Sequence, residues 1–424
     1  MSADQRAPER LDLVVVGLGY VGLPLARAAC AIGLRVAGVD VDPGRVSVLR
    51  ELRSPIGDLT DADVADMAAA GFVATTSFDV VASADTVVIC VPTPMSDDRR
   101  PDLGPVNRAT EAIAARLGAG TLVVLESTTY PGTTEEVLAP ILERNGLRVG
   151  RDVHLAFAPE RINPGSSASL REIPRVVGGM TPACTAAAES FYAKLVDCVI
   201  VARTPREAEM SKLIENVYRH VNIALVNELA MVSRTLKVDL WDAISCAASK
   251  PFGFQPFYPG AGVGGHCIPV DPHYLTYKVR TTGGTLRMAE LADDINRAMP
   301  SYVAQRAAEL LNSTARAVHG SAVLLLGVSY KPDVGDVRET PAVPVARRLR
   351  ELGAVISFHD PFVDDFVVDG VPVPAVPDVD EAVRTHDLTV LLQRHSSYEE
   401  QLFARCRLLF DSSGTARAHS PGVL

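Results

Sequence analysis

Between Leu11 and Asp40 the chain reads as one complete strand–turn–helix–strand unit, and this stretch limits the fold more than any other. Leu11–Val16 (LDLVVV) is a short apolar run, as in a buried parallel strand. Gly17-Leu18-Gly19-Tyr20-Val21-Gly22 follows directly, Pro24–Ile32 has the pattern of a helix stopped by Gly33, and Arg35–Val39 is a second strand ending in Asp40. A GxGxxG turn in that setting, with an acid about twenty residues on, predicts a dinucleotide-binding unit at the head of a doubly wound α/β sheet. The turn lets a pyrophosphate sit on the free N–H groups of the helix N-terminus. Asp40 would accept hydrogen bonds from the adenosine ribose, which favours NAD over NADP. Arg45 would flank the adenine or ribose, or be a solvated helix residue.

The strand–helix alternation continues. Thr86–Val91 is an expected strand broken by Pro92-Thr93-Pro94, followed by an amphipathic helix over Leu103–Leu117. Thr121–Glu126 is a strand ending in Ser127-Thr128-Thr129-Tyr130-Pro131-Gly132. Thr133–Arg144 is a helix, and Val153–Ala158 a strand ending in Pro159-Glu160-Arg161. Ligands of such sheets bind beyond the C-terminal ends of the strands, so Thr93, Thr129 and Glu160 are candidate site residues. A threonine there also serves as a turn or cap hydroxyl. Arg175–Gly179, a helix from Pro182 to Leu195 and Cys198–Ala202 complete a first domain, residues 1–203.

A chain of 424 residues exceeds one ordinary core, so two or three domains are expected. Its 41 basic against 51 acidic residues, a net charge of −10, argue against non-specific nucleic-acid binding. Residues 1–10 lack the apolar core of a secretory signal, and no apolar run approaches membrane-spanning length. Seven scattered cysteines without a CxxC or paired Cys/His cluster point to reduced thiols in the cytoplasm and no metal site.

Pro205 to about Leu236 is the longest stretch of helical period, with apolar residues recurring every three or four positions from Met210 to Val232. Such a helix suits a connector between lobes or a dimer seam. Lys212, Asn216 and His220 share one of its faces. Asp239–Ala248 is a further helix with the single tryptophan, Trp241. The irregular Lys250–Pro259 leads into Tyr258–Leu275, read here as a glycine-rich loop. It sets Cys267 after Gly262, Gly264, Gly265 and His266, with Asp271 between Pro269 and Pro272. A thiol on such a loop can meet a substrate, or it can be a buried structural cysteine. Leu286–Leu311 is helical, with Pro300 a kink or a fresh start, and closes a central helical domain over 204–316. From 317 to 424 a second nucleotide-binding-like sheet without GxGxxG is expected. Its strands are Ala322–Leu326, Val355–His359, Leu388–Leu392 and Leu408–Phe410, with Lys331 and Arg338 in the loop after the first. The fold class is thus two Rossmann-like domains joined by a helical one.

In this order the chain resembles the UDP-glucose/GDP-mannose dehydrogenase family. The resemblance rests on GLGYVGLP, VPTP (Val91–Pro94), ESTTYPGT (Glu126–Thr133), APER (Ala158–Arg161), EMSKLIEN (Glu209–Asn216), GGHCIPVDP (Gly264–Pro272) and SYKPDVGDVRE (Ser329–Glu339). The cysteine segment is similar to that of enzymes acting on UDP-N-acetylhexosamines. UDP-N-acetylglucosamine is the first expectation, UDP-N-acetylmannosamine the second and UDP-glucose the third; a non-catalytic nucleotide-sugar-binding regulator is a remote alternative. The resemblance implies a four-electron oxidation of the sugar C6 alcohol with two NAD reduced. It implies Cys267 as the covalent nucleophile, Lys212 and Asn216 at the C6 oxygen, Asp271 orienting water or Lys212, and Glu160 with Thr129 placing water. It assigns Gly17, Gly19, Tyr20, Val21, Gly22, Asp40, Arg45, Thr93, Thr129 and Arg338 to NAD. Arg161, Lys212, Asn216, Arg219, Phe254, Tyr258, Gly262 and Lys331 go to the UDP-sugar, and a homodimer is expected. Gly335 and Ala261 depart from the family pattern, which usually has an acid and a proline there; changed loop stiffness is expected.

Overall fold

The computed structural model describes residues 10–96, 99–161, 169–265 and 267–424. The expectation for residues 1–10 therefore concerns a segment almost wholly outside the described residues, as is His266. The described chain forms two compact units, one running to Glu215 and including His273–Gly283, the other made of Asn216–Pro272 and Gly284–Leu424.

The first unit is built on eight strands: β1 (Leu13–Val16), β2 (Val36–Val39), β3 (Val73–Thr75), β4 (Thr86–Ile89), β5 (Leu122–Leu125), β6 (His154–Phe157), β7 (Arg175–Gly179) and β8 (Val199–Val201). Their spatial order is β3-β2-β1-β4-β5-β6-β7-β8, all parallel except the β6–β7 pair. The strand order reverses between β1 and β4, so a crevice opens beside their C-terminal ends. β1 is buried on both faces, as a central parallel strand must be. Leu13 and Val15 enter one core with Leu23 and Met67, while Val14 and Val16 enter the other with Ile89 and Leu125. β3 was not expected; it is three residues long at the sheet edge, with Val73 exposed, too short to show a period.

The second unit holds a five-stranded parallel sheet of β9 (Ala322–Leu326), β10 (Val355–His359), β13 (Leu388–Leu391), β14 (Leu409–Asp411) and β15 (Gly422–Val423), in the order β10-β9-β13-β14-β15. A two-stranded hairpin of β11 (Val367–Val368) and β12 (Val371–Pro372) lies apart. Val323 and Leu325 pack on a core shared with Val303 and Ala307 of the Arg287–Ser313 helix; Leu324 and Leu326 face the opposite core. Pro300 sits inside that helix rather than starting a new one. It cannot donate to the Asn296 carbonyl, and Gly262 lies against that carbonyl, 3.2 Å from where a β-carbon would be.

The largest departure from expectation is at Cys267. The segment read as a loop becomes a helix over Cys267–Thr281, which Cys267 itself opens. Pro269 falls among the first four residues, whose N–H groups have no helical acceptor, so its missing donor costs nothing there. Pro272 is accommodated inside the helix. The glycines before the helix serve packing: a β-carbon on Gly264 would lie 2.6 Å from the Tyr330 β-carbon, and one on Gly265 2.8 Å from the Tyr330 ring. Tyr330, not a ligand, makes the close approach at these two glycines. The two departures also have packing reasons. Ala261 is buried in the core, and a β-carbon on Gly335 would lie 2.4 Å from the Phe362 carbonyl oxygen.

Candidate functional site

The first unit carries a turn shaped for a dinucleotide. Gly17 takes φ +98°, and a β-carbon there would lie 2.6 Å from the Cys90 carbonyl oxygen. A β-carbon on Gly22 would lie 1.9 Å from the Gly17 oxygen. Nothing lies within 4 Å of the same position on Gly19, so the middle glycine alone faces open space. The following helix, Gly22–Ala31, has Val21 at its N-cap and no side-chain cap, which leaves its N–H groups for an anion. Tyr20 is partly exposed on the same turn. The buried Asp40 carboxylate accepts from Leu18 N–H at 2.8 Å, Asp42 N–H at 3.0 Å and Arg45 Nη1 at 3.0 Å. Arg45 is thus Asp40's ion-pair partner, half-exposed and able to swing out. An uncapped helix N-terminus, an open glycine and a carboxyl acceptor fit NAD.

Beyond the ends of β4, β5 and β6 lies a charged cluster that the sequence reading did not single out. The antiparallel β7 brings its first residue, Arg175, to the end of β6. There its guanidinium donates to the Pro159 carbonyl at 2.9 Å and to Glu160 at 2.9 Å, and lies 3.6 Å from Glu126. Glu126 also accepts from the Tyr192 hydroxyl and, at 3.7 Å, from the Cys90 thiol. Burial, with Glu160 adding to it and Arg175 opposing, pushes the Glu126 carboxyl up to about 7. Burial likewise pushes the Cys90 thiol far above its usual range, so Cys90 is an inert sulfur. A charged residue closing an apolar strand, as Glu126 does, was the available signal.

An acid whose folded pKa exceeds its unfolded value weakens the fold as pH rises between the two. The unfolded chain releases the Glu126 proton near 4.5, whereas the folded chain keeps it until about 7. Stability is therefore expected to fall across that window and level off above it, and Glu209, also raised to about 7 by burial, acts in the same sense. Glu126→Gln should remove its share: its stability relative to wild type, read from melting profiles, should climb between pH 5 and pH 8 by a difference of order 1–3 kcal/mol. Parallel melting profiles would contradict this origin.

Thr129 is 1% exposed, and its hydroxyl has no hydrogen-bond partner among the described residues. The turn that carries it is held by Glu209, which accepts from Thr134 N–H at 2.8 Å, the Thr134 hydroxyl at 2.7 Å and Gly132 N–H. Thr93 is buried, with its carbonyl accepting from the Tyr274 hydroxyl. Glu160 has a partner on each oxygen, Arg175 on one and Arg161 N–H at 2.6 Å on the other. Arg161 itself pairs with Glu215 and donates to the Pro174 carbonyl at 3.0 Å.

The Pro205–Ser233 helix carries Lys212 and Asn216 one turn apart. Lys212 is only 8% exposed, yet its ammonium has no hydrogen-bond or ion-pair partner among the described residues. In the second unit the Asn216 amide donates to Asp271, which is 1% exposed. Asp271, the candidate for orienting water or Lys212, is thereby also the residue that holds Asn216. Cys267 and Asp271 lie at i and i+4, so they share one face of the helix that Cys267 opens. Cys267 is exposed at that N-terminus, where the helix dipole favours negative charge. His220, third in the row with Lys212 and Asn216, is fully buried and accepts from Asn296 through its carbonyl at 3.2 Å, part of a polar chain in which Asn227 donates to Asn296 at 2.9 Å. Arg219, Phe254 and Tyr258 are exposed, and Gly262 takes φ +133°.

The second sheet repeats the turn of the first. Gly327 has φ +71° and donates to the carbonyl of His359, as Gly17 donates to that of Val39. Asp360 stands where Asp40 does, accepting from Val328 N–H at 2.8 Å and Ser329 N–H at 3.0 Å. Lys331 lies on the loop that follows. Arg338 is clamped by Asp336, and its carbonyl accepts from Gly265 N–H at 3.0 Å.

Comparison with known proteins finds three matches along the chain. Residues 11–196, 206–298 and 324–415 match the NAD-binding, central and UDP-binding domain models of one family. A UDP-N-acetyl-D-glucosamine 6-dehydrogenase of Pseudomonas aeruginosa is 36% identical over 83% of each chain. A UDP-N-acetyl-D-mannosamine dehydrogenase of Methanocaldococcus jannaschii is 32% identical over 91% of this chain and 86% of its own. The solved structure of a UDP-D-ManNAc dehydrogenase from Pyrococcus horikoshii superposes with a TM-score of 0.85 at 30% identity, covering 95% of this chain and 96% of its own. With a dinucleotide turn in one sheet, its echo in the other and a helix-borne cysteine between them in sequence, the chain belongs to the UDP-glucose/GDP-mannose dehydrogenase family and is an NAD-dependent nucleotide-sugar dehydrogenase.

Proposed function

We propose that the protein oxidises the C6 alcohol of a UDP-N-acetylhexosamine to the carboxylate, with UDP-N-acetylglucosamine the favoured substrate. The observation that carries this reading is Lys212, a buried ammonium without a partner among the described residues, one turn from the Asn216–Asp271 pair. A buried cation left open in this way is stabilised by a ligand oxygen bearing developing negative charge. When bound, NAD supplies the hydride acceptor, one equivalent per two-electron step. As the ammonium, Lys212 stabilises the C6 oxygen as an oxyanion; with its own proton first passed to water, the amine takes up the C6 hydroxyl proton and later returns it, with a hydrogen bond from Asn216, whose rotamer Asp271 fixes. The Cys267 sulfur bonds to the aldehyde carbon, giving a thiohemiacetal whose oxidation leaves a thioester. Water then cleaves the carbon–sulfur bond, releasing the acid and restoring the thiol. Glu160, held by Arg175, and Thr129 position that water. Names of relatives that act on UDP-N-acetylmannosamine support that sugar as the second reading. Initial NADH rates on UDP-N-acetylglucosamine, UDP-N-acetylmannosamine and UDP-glucose, with product mass and NADH count, test the proposal. One NADH per sugar with free aldehyde released rules out the covalent route.

The same reading places the protein in the cytoplasm, divides it near residues 203 and 316, and makes it a homodimer. Among the described residues no helix is long and apolar enough to cross a membrane. Tyr218, Leu225, Leu229 and Val232 form an exposed stripe at spacings of seven, four and three residues on the Pro205–Ser233 helix. A dimer mass is expected by light scattering, and Leu225→Glu with Leu229→Glu should shift it to monomer. A wild-type monomer at micromolar concentration would remove the assignment.

A further inference from the structure

The two acids that follow the second strand of each sheet differ in what occupies them. A carboxylate offers about four lone-pair sites. Asp40 has three donors, one of them the half-exposed Arg45, so room for a ribose hydroxyl remains. Asp360 has four, three of them on Oδ2 (the N–H groups of Val328 and Ser329, and His395 Nε2 at 3.0 Å) and one on Oδ1 (Phe362 N–H at 2.9 Å). His395 is 0% exposed and cannot swing away. Its other nitrogen, Nδ1, accepts from Asp333 N–H at 2.9 Å, which makes Nε2 the protonated one and fixes a neutral tautomer. Asp333 then holds Ser396 through its N–H at 2.7 Å. Next to it, the Ser329 hydroxyl donates to the Lys331 carbonyl at 2.9 Å. The helix after this turn also differs from its counterpart, because the Thr340 hydroxyl already accepts from Ala342 N–H at 3.2 Å.

We propose that His395 is a positioning residue of the UDP-sugar site. It adds a third donor to Asp360 Oδ2, and through Asp333 it fixes the Ser329–Asp336 loop that presents Lys331 to a diphosphate. The inference rests on the UDP-sugar reading above, and His395 touches neither ligand in it. Its two hydrogen bonds can be separated. His395→Asn sets a carbonyl near the Nδ1 position and keeps an acceptor for Asp333 N–H, whereas His395→Gln keeps a donor near Nε2 and loses that acceptor.

The test is calorimetric binding of UDP and, separately, of NAD to the full chain. His395→Ala should weaken UDP about tenfold, the effect of one lost buried hydrogen bond, with NAD within twofold. Asn should recover most of the UDP affinity and Gln little; in turnover, KM for the sugar nucleotide should move and kcat should not. If alanine disturbs the fold and NAD is lost too, the order Asn tighter than Gln is still required. Equal UDP affinity in Asn and Gln, the reverse order, or alanine within twofold of wild type overturns the role of His395. A wild-type protein that binds NAD but not UDP overturns the substrate reading instead.

Discussion

Cys267→Ala should lower NADH formation by at least about a thousandfold while NAD affinity stays within twofold. The separation follows from where the residues lie. The dinucleotide turn from Gly17 to Gly22 and its acceptor Asp40 belong to the first unit, and Cys267 belongs to the second. Cys267 is exposed, so alanine there leaves no cavity and the fold should keep its stability. What is lost is the sulfur that keeps the aldehyde bound between two oxidations. NADH from pre-steady-state mixing and NAD binding by fluorescence report the two quantities separately. An alanine variant that still forms two NADH per sugar would show that the aldehyde is oxidised as its hydrate without a covalent bond to the protein.

Lys212→Met should lower kcat by about a hundred- to a thousandfold, with KM for the nucleotide sugar changed by less than about threefold. Lys212 as a residue is 8% exposed and its ammonium has no partner among the described residues, so its removal breaks no ion pair and methionine fills most of its volume. Its proposed contribution is confined to the charge that develops on the C6 oxygen. A lysine kept for structure would give the opposite signature, a lowered melting temperature with kcat retained. Asn216→Ala should fall between, because it removes one neutral donor.

Much of this was legible in the residues. The turn from Gly17 to Gly22 could be placed because strand, glycines, helix and acid constrain one another, and β1, β2, β4, β5 and β6 all form where apolar runs stood. The Cys267 helix was not legible. Three prolines and four glycines between Tyr258 and Leu275 read as a loop, since local preference cannot show that Pro269 falls on positions that need no donor, or that Gly264 and Gly265 are emptied to admit Tyr330. Arg175 escaped notice for a related reason. Its partners Glu126 and Glu160 lie 49 and 15 residues away, and only the antiparallel turn of β7 against β6 brings the three together. His395 was silent altogether, because its meaning depends on counting what Asp360 already accepts.

The polar chain from Asn227 through Asn296 to His220 carries a consequence for how the molecule can change over time. Each amide answers the next, and all three residues are at most 1% exposed. A hydrocarbon side chain at 227 alone strands the Asn296 oxygen and the Gly260 N–H, which Asn227 also receives. One at both 227 and 296 frees only the outer ends. Drift at these sites is therefore tethered: descendants of this sequence should keep both amides or surrender both, and single replacements should survive only as brief intermediates.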